Sequence, residues 1–177
     1  MIRTIRIATE HDLPRILELI EYGRQKMRQM GNIEQWTNGN PNAELFVEDI
    51  SQGNSYVVEE GGVAVATFAF VEGPDITYRN IYNGKWVDDM RPYFVVHRMA
   101  SMPGVHGIFN DVLDYCLKHT DNIRIDTHRQ NHLMRHALEK YGFAYCDILK
   151  ISDNEIQFVS GKEDYDEGIE YLLDRYN

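Results

Sequence analysis

Apolar and polar positions along the chain fall into short blocks of distinct period. Residues 2–8, IRTIRIA, alternate apolar and polar side chains as a half-buried strand does. Leu13, Ile16, Leu17 and Ile20 then recur at i, i+3, i+4 and i+7. That spacing predicts a helix capped by Thr9 or Asp12, and Pro14 is tolerated because it falls near the first turn. Residues 30–42, MGNIEQWTNGNPN, have no period and are rich in Gly and Asn, so they read as a loop holding one large aromatic, Trp36. A short helix over 43–52 stops at Gly53. Strands over 55–60 and 63–71 flank Gly61-Gly62 and predict a hairpin.

Residues 73–89 are irregular and aromatic. The segment 92–101, PYFVVHRMAS, reads as a buried strand, 102–107 as a turn, and 108–119 as a helix with Phe109, Val112, Leu113 and Cys116 inward. A strand over 122–128 precedes a helix over 131–142 that places Met134, Ala137, Leu138 and Tyr141 on one face and ends at Gly142. FAYCDILKIS and EIQFVSG predict a closing hairpin, and Ile169, Leu172, Leu173 and Tyr176 space a last short amphipathic helix. The order of elements predicts one α/β domain over residues 1–160, with 161–177 as a tail of the same domain.

Composition narrows the function more than the fold. The chain has 177 residues, 43% hydrophobic and 26% charged, enough for one compact core. A net charge of −10 argues against a nucleic-acid-binding surface and favours a small cationic partner. The longest apolar run, Val63–Val71, is strand-sized and too short to span a bilayer, so no membrane partner is expected. Cys116 and Cys146 form no disulfide or metal-binding pattern, and the first residues lack the apolar stretch of a signal peptide. The reading is a cytoplasmic protein in a reducing compartment.

The segment THRQNHLMRH (127–136) places His128, His132 and His136 four apart, a spacing that on one helix suggests a metal site. Asn131 is a natural N-cap, however, so His128 belongs to the preceding strand and the ladder spans a strand–helix junction. No metal is expected, and solvent-facing histidines on the helix are the simpler reading.

The same region carries a family resemblance. IRIDTHRQNHLMRHALEKYGF (123–143) resembles motif B of the GNAT acetyltransferase superfamily in its strand, Thr127-His128, Asn131, Met134 and the Leu138-Glu139-Lys140-x-Gly142-Phe143 ending. VVHRMASMPGVHGIFNDVLDYC (95–116) stands where motif A belongs: strand, proline–glycine turn, helix. The resemblance implies a mixed, mostly antiparallel central sheet flanked by helices, from residue 2 to about 160. It also implies direct transfer of an acyl group from acetyl-CoA to the amine of a small molecule, and a fold in which homodimers are common.

Against the family's pyrophosphate loop, Gln/Arg-x-x-Gly-x-Gly/Ala, the corresponding positions are Gly104, Gly107 and Phe109, of which only the middle one matches. Backbone N–H groups at a helix N-terminus hold a pyrophosphate without a cationic side chain, so Gly104, Val105, His106, Gly107, Ile108 and Phe109 remain cofactor-binding candidates. The other reading is an ordinary strand–turn–helix corner. By resemblance, Met99, Ala100 and Ser101 bind the pantetheine arm, and Asn131 either touches the cofactor or caps its helix.

The tyrosine that many family members use as the acid is Leu138 here, and its role does not pass to Tyr141. His97 is the candidate base, since imidazole titrates near neutrality; the alternative is a buried histidine tied to a carbonyl. Arg98 either pairs with a carboxylate or binds a phosphate. Trp36, Tyr78 and Trp86 are candidates to line the amine pocket, although any one of them singly can plug the core edge. The competing function is an acyl-CoA-binding or interaction module that kept the fold without the chemistry.

Overall fold

The computed structural model describes residues 2–78, 81–82, 84–152 and 155–159, with the side chains of 147–152 and 155–159 left aside. In chain order the elements are β1 (Arg3–Ile7), α1 (Leu13–Gln29), α2 (Ala43–Ser51), β2 (Ser55–Glu60), β3 (Val63–Glu72), β4 (Ile81–Tyr82), β5 (Phe94–Ser101), α3 (Ile108–Cys116), β6 (Ile123–Arg124), β7 (Thr127–His128), α4 (His132–Tyr141), β8 (Asp147–Ser152) and β9 (Glu155–Val159). They follow the predicted order, with the short strand β4 added inside the stretch 73–89 that reads as irregular. The helix expected over 108–119 stops at Cys116, and the expected tail helix over 169–176 lies outside the described residues.

Five strands form one sheet in the order β1-β2-β3-β5-β6, antiparallel except for the β5–β6 pair. Its central strands bury both faces, which is why β3 reads as an apolar run broken only by Thr67 between Val63 and Val71. Val58, Phe68, Phe70 and Val96 meet Val112 and Leu113 of α3 and Leu138 of α4 on one side. Their neighbours Val57 and Ala100 meet Ile16 and Ile20 of α1 and Phe46 of α2 on the other. Adjacent residues thus serve opposite cores, as the two-residue period of a strand requires. Among the described residues no helix is long and apolar enough to cross a membrane.

One expectation fails in an instructive way. The single strand predicted over 122–128 is two strands on two sheets. Ile123 and Arg124 pair with Phe94 and Val95. Thr127 and His128 instead pair with Phe158 and Gln157 in a second sheet, ordered β4-β8-β9-β7. Alternation along a strand reports which face is buried, not which neighbour it joins.

The β5–β6 ladder therefore ends at Val95–Arg124, and β5 runs on without a strand on that side among the described residues. A second irregularity lies just beyond. Thr67 pairs with Ala100 and Ala69 with His97, so three steps on β5 oppose two on β3. This bulge holds Arg98 at φ 52, left-handed backbone that a non-glycine residue adopts only where its surroundings impose it.

Candidate active site

The gap where β5 parts from β6 and β7 is the mouth of a cavity of about 610 Å³. Its walls are β5 from Val96 to Ser101, the turn Val105–Phe109, the first turns of α4, the segment Ile125–Thr127, the end of α1 and the loop holding Trp36. Of the residues singled out in the sequence, it gathers His97, Met99, Ala100, Ser101, Val105, His106, Gly107, Ile108, Phe109, Asn131 and Trp36. Gly104, Tyr78 and Trp86 do not line it.

His97 stands at the bulge with its side chain 14% exposed, between two carboxylates. Its Nε2 is 3.1 Å from Asp75 Oδ2 and its Nδ1 is 3.5 Å from Asp126 Oδ1. Of the two alternatives drawn from the sequence, the histidine tied to a carbonyl is replaced: the imidazole is held by side-chain acids. Burial alone pushes the His97 pKa down, but Asp126 and Asp75 outweigh it and the net shift is upward, with Arg98 opposing them. Asp75 has its other oxygen filled by the Thr77 N–H at 2.8 Å and the Thr77 hydroxyl at 2.6 Å. Burial raises the Asp75 carboxyl, yet His97 and Thr77 prevail and bring it down to about 2.

Arg98, next along the bulge, turns to Asp49 of α2 at 2.7 Å. Of the two roles considered for it, carboxylate pairing is the one observed. Burial holds the Asp49 carboxyl above its usual range, with Arg98 opposing the rise.

The opposite wall is built from backbone. Gly107, at φ 82, is the N-cap of α3 and supplies no side-chain hydrogen bond to it, so the first N–H groups of α3 are left to an external acceptor. Phe109 packs its ring edge-to-face on Tyr141 at 5.9 Å, the inward placement its apolar stripe predicts. The N-terminus of α4 differs: Asn131 Oδ1 accepts the Met134 N–H at 3.2 Å and Asn131 Nδ2 donates to Gln35 Oε1 at 3.0 Å. Asn131 therefore caps its helix and also ties it to the 30–42 loop, which a second bond from the Ile33 N–H to Gln130 Oε1 at 3.2 Å reinforces.

These two observations, an uncapped helix start and a strand edge without a neighbour among the described residues, fit a ligand made of a pyrophosphate and an extended amide-bearing arm, as CoA is.

Trp36, at φ 58, lays its ring against α1. A Cβ at Gly23 would come within 3.0 Å of that ring and 3.2 Å of Ala100 Cβ, so glycine is what lets helix, ring and strand close together. Tyr78 and Trp86 are buried behind the wall, at 0% and 8% exposure, and stack on each other at 5.8 Å. Tyr78 reaches the site indirectly, by donating its hydroxyl to Asp126 Oδ1 and turning an edge of its ring toward His97.

Leu138 is fully buried in the core. Tyr141 donates to Asp114, and its hydroxyl is pushed up to about 12 by burial and by that carboxylate. Neither residue lines the cavity.

The histidines of 127–136 separate as the N-cap at Asn131 implies. His128 closes β7, buried, with Nε2 3.4 Å from Glu34 Oε2. His132 and His136 are exposed on α4. Among the described residues no cluster of histidine, cysteine and acidic side chains has the arrangement of a metal site.

Sequence reasoning missed Asp75 and Asp126. Asp75 is separated from His97 by 22 positions, in a stretch with no period. Asp126 lies in the segment taken for one continuous strand. The available signal was a carboxylate in a Gly-Pro-Asp turn just ahead of the aromatic stretch.

No protein-family model and no curated protein sequence matches the chain. Solved structures do. An acetyltransferase of the GNAT family from Streptococcus agalactiae is 30% identical, with a TM-score of 0.79 over 92% of this chain and 96% of that one. A GNAT-family acetyltransferase from Listeria monocytogenes is 16% identical, with a TM-score of 0.65 over 89% and 94%. A protein from Arabidopsis thaliana, solved with the bisubstrate analogue CoA-Ac-MVNAL, is 11% identical, with a TM-score of 0.58 over 92% and 99%, a likeness of fold.

Proposed function

Because this chain belongs to the GNAT acetyltransferase family, we propose that it moves an acetyl group from acetyl-CoA to the amine of a small molecule bound beside His97. One observation carries the reading: a single cavity joins the strand edge left open beyond Val95 to a histidine gripped by two carboxylates. The CoA-linked analogue bound by the Arabidopsis protein supports a CoA compound in this fold.

The thioester of bound acetyl-CoA supplies the activated acyl group. The chain's own residues divide the remaining work. N–H groups at the start of α3 receive the pyrophosphate. The edge of β5 around Met99–Ser101, which no described strand covers, pairs with the amide-bearing arm as an added strand does, and its N–H groups donate to the carbonyl oxygen as charge develops there. Asp75 and Asp126 attract the acceptor as an ammonium ion. His97, in its neutral form, takes the proton that the nitrogen must lose to attack, and the imidazolium so formed is held by the same carboxylates. The departing thiolate is protonated from solvent, since neither Leu138 nor Tyr141 lines the cavity.

The buried Leu138 favours a second reading, a module that binds acyl-CoA and transfers nothing. Two measurements separate them. Acetyl-CoA raises the melting temperature under both readings, because a ligand of the folded state stabilises it. Thiol release from acetyl-CoA across a panel of amines occurs under the first alone. No thermal shift at saturating acetyl-CoA sinks both; a shift without thiol release leaves the second.

A further inference from the structure

Behind the wall of the cleft, four side chains from separate segments form one stack. Arg124 of β6 is buried, with its guanidinium carbon 3.7 Å from the ring centre of Tyr93 on one face and 4.0 Å from Trp86 on the other. Trp86 in turn lies nearly parallel to Tyr78, with 17° between the ring planes. A planar guanidinium presents two flat faces to two rings at once, which an ammonium cannot do. Its charge is met at the rim, where Nη2 contacts Asp89 Oδ1 at 2.9 Å and the Asp88 carbonyl at 3.1 Å.

Each end of the stack holds a carboxylate-bearing residue. At one end the Tyr93 hydroxyl accepts the Asp75 backbone N–H at 3.0 Å. The Tyr93 ring also lies so close over Gly73 that a Cβ there would approach it to 2.8 Å. At the other end the Tyr78 hydroxyl donates to Asp126 Oδ1. Asp75 and Asp126 are the two acids that flank His97.

We infer that the Tyr93–Arg124–Trp86–Tyr78 stack is the positioning device of the site: it presents Asp75 and Asp126 to His97, fixing where the imidazole points and which of its nitrogens carry protons. As a device for catalysis this rests on the reading of His97 as proton acceptor; its test does not. Arg124 is two residues from Asp126 in the segment that joins β6 to β7, which ties the stack to that carboxylate through the chain as well. The groups facing His97 are Asp75 from the turn after β3, Asp126 from the β6–β7 segment, the Tyr78 ring and hydroxyl, Arg98 on its own strand and, beyond Arg98, Asp49 of α2. Burial lowers the His97 pKa and the carboxylates raise it, so the balance depends on their being held in place.

The test is an NMR titration of the free protein, with the His97 ring signal among the seven histidines identified by its loss in His97→Gln. Arg124→Lys keeps the charge and loses the two-faced stacking. It lowers the His97 midpoint by about one pH unit, as withdrawal of nearby opposite charge does. Tyr78→Phe keeps the ring and deletes only the hydroxyl, and lowers the midpoint by less. Both variants keep the acetyl-CoA-induced rise in melting temperature, whereas kcat falls along with the midpoint of its pH profile.

A midpoint that stays or rises in the folded variants overturns the inference; if Arg124→Lys does not fold, Tyr78→Phe decides alone. Neither cofactor nor amine enters the titration. A protein that releases no thiol yet shows both shifts ends the acyl-transfer reading and leaves the stack standing.

Discussion

The two ends of the cleft are built by opposite means. On the proposed acceptor side the working atoms belong to side chains: His97 between Asp75 and Asp126, with Thr77 and Tyr78 donating to the acids. On the proposed cofactor side they belong to the backbone: the edge of β5 that no described strand covers and the start of α3 behind Gly107. A backbone-built site tolerates change in the residues that bear it, provided the φ/ψ values survive. On that proposal Phe109 can stand where the family's loop has a small residue, because its ring packs on Tyr141. A side-chain-built site has no such tolerance, because removing one member strips a buried charge of its partner.

Substitutions can break this contrast, and the largest effect is expected on the acceptor side. His97→Ala lowers kcat by roughly 10²- to 10⁴-fold, the usual worth of a general base, while the acetyl-CoA-induced thermal shift is unchanged. Equal losses in both measurements would mean that the two ends are not independent.

On the cofactor side, Gly107→Ala forces a Cβ into left-handed backbone at φ 82 and strains it by about 1–2 kcal/mol, which weakens acetyl-CoA binding by about tenfold with the amine KM unchanged. His106→Ala, one residue away and exposed, is the matching control and leaves acetyl-CoA affinity within about twofold. If the histidine change costs more than the glycine change, the cofactor side is not backbone-built.

The acceptor cluster also sets two pH trends against each other. His97 has its pKa raised from 6.5 in the folded protein, so its contribution to stability is complete below that value and is lost as pH rises through the folded value. Asp75, lowered from 3.8 to about 2, contributes above 3.8 and loses its contribution as pH falls toward 2. The cluster therefore stabilises most between pH 3.8 and 6.5. Activity runs the other way, since a base must be neutral: kcat/KM rises with pH through a midpoint above 6.5. Melting curves of native protein against His97→Gln, set beside a pH–rate profile, check both signs.

The smallest effect is expected at Gly23→Ala, whose new methyl meets the Trp36 ring at 3.0 Å and pushes it toward the cavity. Preference between small and bulky amines shifts by a few-fold, about 1 kcal/mol, without loss of acetyl-CoA binding. An unchanged preference removes Trp36 from the acceptor wall.

What could be read from the sequence follows the range of the interactions involved. The alternation of residues 2–8, the glycine turn at 61–62 and the stripe Leu13, Ile16, Leu17, Ile20 are local signals, and each returned its element. His97 and Trp36, which both line the cavity, stand out because a histidine in an apolar strand and a tryptophan in a loop are visible where they stand. Asp75 and Asp126 were not visible, since a carboxylate in an aperiodic segment resembles any solvated one until its partner is known. Trp86 and Tyr78 show the reverse case. Their aromatic character marked them, but only packing decided that they stack with Arg124 behind the wall and do not face the cavity.

The sequence by itself determined most of the order of elements, the buried strand over 92–101 and the N-cap at Asn131 that divides the histidine ladder. All of these follow from period and propensity over a few residues. Only the tertiary structure decided that the segment 122–128 splits between two sheets, that β5 bulges at Arg98, and that His97 lies between two acids. Those depend on which distant strands meet and on charges too costly to bury singly, and neither is written in any short stretch of chain.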